Sequence, residues 1–237
     1  MNAARRASLY LSAAVLLFAA TVGPPLDRLA DDSFTWHMLQ HLLLLYAVPL
    51  LAVLASPFAL FPALFGKART ARLVTATRPL HAVAQPAVAL AFFFGVLWAT
   101  HFSGLFQLAL VHSSFHLFEH ALYLTAGMLF WLPVLSPPPL RSIGFPSKLL
   151  YLVIALPQGA LVAMAIDAAR APLYQHYAVV EGQSTALADQ HSAAAVMWIA
   201  GGLVLLCAFL TTLGLWAHRE SGNDSHIPPL RRETVKG

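Results

Sequence analysis

His112-Ser-Ser-Phe-His116-Leu-Phe-Glu119-His120 runs straight into Ala-Leu-Tyr-Leu-Thr-Ala-Gly-Met-Leu-Phe-Trp-Leu-Pro-Val-Leu135, and this junction decides the fold. Spacings of four put His112, His116 and His120 in one stripe on a helix, with Glu119 on the same side of its last turn. With its apolar continuation the helix is long enough to cross a bilayer, where ionisable side chains are costly and usually functional. The whole composition agrees. Of 237 residues, 59% are hydrophobic and 10% charged, and the mean hydropathy is +0.69. Such a chain is no soluble domain of ordinary surface. It reads as all-α, a polytopic transmembrane helix bundle in one domain, surrounded by lipid and with no feature that calls for nucleic acid. The single cysteine, Cys207, lies inside a late apolar run, so neither a disulfide framework nor a paired-thiol metal site is available.

Outward from that stretch, apolar runs predict six spans at about 7–22, 37–55, 86–103, 112–135, 149–166 and 191–216. The first, behind Arg5 and Arg6, is read as a retained span rather than a cleaved signal, and an acidic loop from Asp27 to Asp32 follows it. Pro49 is expected to kink the second. Pro57 and Pro62 set off a short interfacial helix ending near Phe65, ahead of a basic loop with Lys67, Arg69, Arg72 and Arg78. A short loop with Gly104 joins the third and fourth spans, and a polar loop from Asp167 to Glu181 joins the fifth and sixth. Residues 218–237 form a charged tail. Counting alternate loops, twelve of the Lys and Arg residues fall on one side, and only Arg28 and Arg170 on the other. Positive charge accumulates in the cytoplasm, so both termini are expected there.

That topology puts His37, His41, His101, His112, His116, His120, His176 and His191 on the outer side or in the outer half of the membrane. His37/His41 and His116/His120 are pairs one helical turn apart, and two such pairs can surround one ion with four nitrogens. Neutral imidazole suits copper, zinc, iron and nickel. The expected metal residues are therefore His37, His41, His101, His112, His116, His120 and His191, with Glu119 and Asp189. Glu119 is expected to orient an imidazole rather than to ligate. Asp189 reads either as a helix cap at the start of the sixth span or as a partner of His191. Met38 and Met197 lie near the same level, and thioethers favour Cu(I), although methionine also packs. Three readings compete with a copper holder: a haem-binding electron carrier with axial His pairs, an intramembrane zinc peptidase using His116-x-x-Glu119-His120, and a purely structural interaction protein.

The order of motifs resembles the CtaG-type cytochrome c oxidase assembly factors. The pieces are HMLQH at His37–His41, an apolar Pro-containing run ending ASPF, GVLWATH ending at His101, HSSFHLFEH at His112–His120, FWLPVL at Phe130–Leu135, APLYQHYA around Tyr174 and ADQHSAAAVMW at Ala188–Trp198. The likeness covers Trp36 to about Leu215. It implies a bacterial inner-membrane assembly factor without catalytic turnover, binding copper and aiding its delivery or insertion, with an oxidase subunit or other assembly factors as partners. The family-like polar residues are His37, Gln40, His41, His101, His116, Glu119, His120, Asp189 and Gln190. The chain departs from the family after the Asp-Gln pair, where His191-Ser-Ala-Ala-Ala replaces a Gly-rich run.

Overall fold

A computed structural model describes residues 2–21, 23–56, 66, 85–138 and 140–224. All regular structure among them is helical, as lipid demands of a chain that must satisfy its own backbone. α1 (Ala3–Thr21) and α2 (Pro24–Asp32) lead to a turn at Ser33. Then α3 (Phe34–Leu42), a π-helical turn (Leu43–Ala47) and α4 (Val48–Leu54) make one continuous run. The rest is α5 (Pro86–Phe102), α6 (Leu105–Val111), α7 (Ser113–Leu135), α8 (Phe145–Asp167), α9 (Gln175–Glu181) and the long α10 (Gln183–Asp224). Five of these runs are long and apolar enough to cross a membrane, and α5 with α6 makes a sixth if the bent pair is one span.

The packing order is not the chain order. The α3–α4 run packs on α7, α7 on α5, α5 on α8, α8 on α10, and α10 returns to α3, while α1 lies outside against α4. Outward faces stay apolar: α10 exposes Leu203, Leu206, Leu210 and Leu213, which in water would be a sticky patch and in a bilayer is the lipid face. Inside, Tyr46, Phe93, Phe130 and Tyr151 are buried together, with the Phe93 and Phe130 rings 4.5 Å apart.

Several stretches read as loops are helices. Asp27 to Asp32 belongs to α2, started by prolines at its first positions, where no backbone donor is missed. Leu105–Val111 forms α6, because Gly104 takes a left-handed φ of 80° and turns the chain through a bend of 64° against α5. Part of the Asp167–Glu181 loop is α9. The irregularity expected at Pro49 falls just before it, where the Val48 N–H reaches back to the Leu43 carbonyl in the π-turn. Pro49 also leaves the Leu45 carbonyl without its usual donor. α7 covers this weak point: the Trp131 indole donates to the Tyr46 carbonyl at 3.1 Å. One turn earlier on α7, Gly127 brings its backbone against Leu45, where a Cβ would collide with the Leu45 carbonyl oxygen and lie 2.6 Å from Pro49 Cγ. α10 starts eight residues before the expected span and runs on to Asp224. The expected interfacial helix near Pro57–Phe65, the basic loop, and the tail beyond residue 224 lie outside the described residues.

Candidate metal centre

The α2–α3 turn, the α6–α7 turn and α9 meet at one end of the bundle, tied by side chains. His176 on α9 donates to the Asp31 carbonyl at 3.0 Å, and the Tyr174 hydroxyl donates to the His101 carbonyl at 3.1 Å. Asp189 completes the join. Its carboxylate accepts from the Ser33 hydroxyl at 3.1 Å and from the Thr35 N–H at 3.2 Å and hydroxyl at 2.5 Å. Ser33 occupies the cap position of α3 without capping it through its own side chain, so the cap comes from another helix. A carboxylate at that end also meets the positive pole of α3.

Below this join, α3 and α7 face each other. The nitrogens of His37, His41, His116 and His120 lie within 4.8 Å of one another. Their rings form a quadrilateral, with centroids 4.4 Å apart for His37–His41, 4.1 Å for His116–His120, 5.2 Å for His37–His116 and 5.7 Å for His41–His120. His37, His41 and His120 are buried and His116 is half-buried. The helix spacing of four delivers each pair, and the close approach at Gly127 brings the two helices together.

Hydrogen bonding fixes which nitrogen His37 offers. The Tyr177 hydroxyl lies 3.0 Å from the Ala30 carbonyl and 2.9 Å from His37 Nδ1. Its one proton goes to the carbonyl, which can only accept, so His37 Nδ1–H donates to the phenol oxygen and Nε2 keeps its lone pair. That Nε2 lies 3.1 Å from His41 Nε2. Ligand nitrogens around a tetrahedral ion with bonds of about 2.0–2.1 Å sit about 3.3 Å apart, so this edge already has the right length. His116 Nε2 and His120 Nε2 are buried atoms with no hydrogen-bond partner. Left so, they would carry an uncompensated desolvation cost.

Glu119 is 3% exposed, and one carboxylate oxygen is 3.6 Å from His41 Nε2 with neither oxygen hydrogen-bonded. A lone carboxylate charge there is expensive, and the neutralising partners at hand are His41 or a cation held by the histidines.

The remaining sequence-predicted residues lie outside the quadrilateral. His112 is exposed and extended (φ −137°), at the cap position of α7, so its ring leaves the helical stripe that the spacing suggested. His191 is exposed and pairs with Asp167 at 2.7 Å. Asp189 caps α3. His101 is buried on α5, its Nδ1–H donating to the Leu97 carbonyl at 2.8 Å, its Nε2 without a partner and its ring stacked on Phe106. Gln190 bridges α10 to the end of α8, accepting from the Leu173 N–H at 2.8 Å and donating to the Ile166 carbonyl at 3.1 Å. Residues the sequence did not single out are Tyr177, Tyr123 and Phe106. Tyr123 packs 4.3 Å from the His41 ring and donates to Thr100, whose own proton goes to the Val96 carbonyl. Phe106 on α6 touches the His37, His41 and His101 rings and walls the cluster. The APLYQHYA motif held the signal for Tyr177; for Phe106 there was none.

Fold and site together define a multi-pass helical membrane protein with a histidine cluster, able to hold a metal ion, gathered at one end of its bundle. Within that class the chain belongs to the cytochrome c oxidase caa3 assembly factor family, whose model matches residues 2–219. Comparison with curated proteins and with solved structures gives no match.

Proposed function

We propose that this chain binds copper through His37, His41, His116 and His120 on the outer side of a bacterial cytoplasmic membrane and aids its delivery to, or insertion into, a cytochrome c oxidase. The observation that carries this is the convergence of four imidazole nitrogens within 4.8 Å, with both α7 nitrogens otherwise unpartnered. All-nitrogen donors suit copper, and its affinity exceeds that of the other divalent first-row metals at such a site. Four protein ligands close the site, whereas a hydrolytic zinc centre keeps a position open for water. That supports holding and handing over an ion rather than peptide cleavage. The excess of Lys and Arg on the opposite side supports an outward-facing cluster, where copper arriving from outside the cytoplasm meets it first. Half-buried His116 is the first contact, and the buried imidazoles behind it allow ligands to exchange one at a time.

The test is the copper content of the oxidase purified from cells lacking this chain. The expected result is normal oxidase polypeptide depleted of copper, restored by the wild-type chain but not by one with His116→Ala and His120→Ala. An oxidase fully loaded with copper in the deletion strain would contradict the proposal.

A further inference from the structure

His41 borders a second space. A cavity of about 10 Å³ is lined by Met38, His41, His101 and Met197, with Tyr123 and the Gly159 backbone. The level of these residues follows from the cap: Asp189 on α10 meets Ser33 at the start of α3, and eight residues further along each helix stand Met197 and His41. The space is the size of one small sphere, about enough for a single water or ion. Its two imidazoles each carry a buried nitrogen with no hydrogen-bond partner, His101 Nε2 and His41 Nδ1. His101 Nδ1 is already committed as the donor to the Leu97 carbonyl, so Nε2 there is a free lone pair. The lining also carries Tyr46, Tyr123, whose hydroxyl is committed to Thr100, and Met38 and Met197, whose thioether sulfurs are poor hydrogen-bond acceptors but good ligands for one kind of ion. Thioether with imidazole selects Cu(I) over zinc and Cu(II).

We infer that Met38, His101 and Met197, with His41 at the boundary, form a second, Cu(I)-selective position beside the four-histidine cluster. The inference rests on the reading of that cluster as a copper site. An ion that enters the cluster already as Cu(I) exchanges imidazole nitrogens for thioether sulfurs on passing to the second position and stays Cu(I), so no electron donor or acceptor is needed. His41 borders both positions but has one lone pair: bound to the cluster ion through Nε2 it carries its proton on Nδ1, so an ion in the second position is held by Met38, His101 and Met197. Chemically, the second position discriminates: zinc leaving the all-nitrogen cluster would exchange several imidazoles for one imidazole and two thioethers, which bind it poorly.

The test is X-ray absorption and Cu(I) titration on the full-length purified protein under reducing conditions, with Cys207→Ser as background so that methionine is the sulfur detected. The expected wild-type result is about two Cu(I) per chain with both nitrogen and sulfur neighbours. The Met38→Leu/Met197→Leu double variant keeps side-chain volume and is expected to lose the sulfur signal and about one equivalent. His101→Phe keeps the aromatic stack on Phe106 while removing the free Nε2 lone pair, and is expected to lose the same equivalent together with its sulfur signal. Copper bound with no sulfur neighbour in the wild type, or a sulfur signal unaffected by the double variant, would overturn the second position and leave the cluster standing. A wild-type chain that binds no copper would overturn both.

Discussion

Tyr177 holds the Nδ1–H of His37 and thereby aims its Nε2 at the other three rings. Partners of this kind typically change metal affinity by about 10–100-fold when removed. Tyr177→Phe is therefore expected to weaken copper binding by about that factor, read by competition with a Cu(I) chelator, while the protein keeps its fold. Unchanged affinity would show that the phenol is only packing. The spacing of four made the His37/His41 and His116/His120 pairs legible in the sequence, because that spacing survives in any helix. It failed for His112, which sits on the cap residue where the helix has not yet begun. Asp189 read as the cap of its own helix or a partner of His191, but α10 begins at Gln183, so Asp189 lies inside it and caps α3; His191, assigned by level alone, turns to Asp167.

Among the elements, the crossing of α7 over the π-turn sets the distance between the two histidine pairs. Gly127→Ala drives a methyl group into the Leu45 carbonyl and Pro49, and neither can move without unwinding a turn already short of donors. The expected cost is about 1–3 kcal/mol, seen as a lower thermal midpoint in detergent. Gly95→Ala on α5, where a Cβ meets nothing within 4 Å, is the control expected to leave the midpoint unchanged or raised. Equal midpoints for the two variants would remove the close approach as the device that gathers the site. Apolar run length announced the long helices, since crossing lipid demands it. The π-turn and α6 were not legible: a π-turn depends on how the freed carbonyls are met by a neighbouring helix, and Leu105–Val111 is apolar but too short to register as a span.

For the whole molecule, helix order was the missing information. Charge counts sort the loops into two sets, but only packing shows that α7 lies between α4 and α5 and that α10 closes back on α3. That order puts α2 beside the cluster, with Asp27 and Asp31 within electrostatic reach of His116. Glu181 on α9 joins this acidic end, its carboxyl pushed above the usual range by burial and then by the Asp189 and Asp32 charges. A negative mouth raises the local concentration of cations and speeds capture in a salt-dependent way. Asp27→Asn/Asp31→Asn is expected to slow copper uptake several-fold at low salt and to flatten its salt dependence, with the final copper content unchanged; stopped-flow loading at two ionic strengths reads both. The most direct test of the cluster is the copper content and absorption spectrum of the detergent-purified protein from copper-replete cells, beside the His116→Ala/His120→Ala variant. Copper in the wild type and its loss in the variant, with no Soret band in either, is the expected result. A wild type free of copper, or a variant that keeps it in full, would contradict the assignment of these four histidines as the copper site.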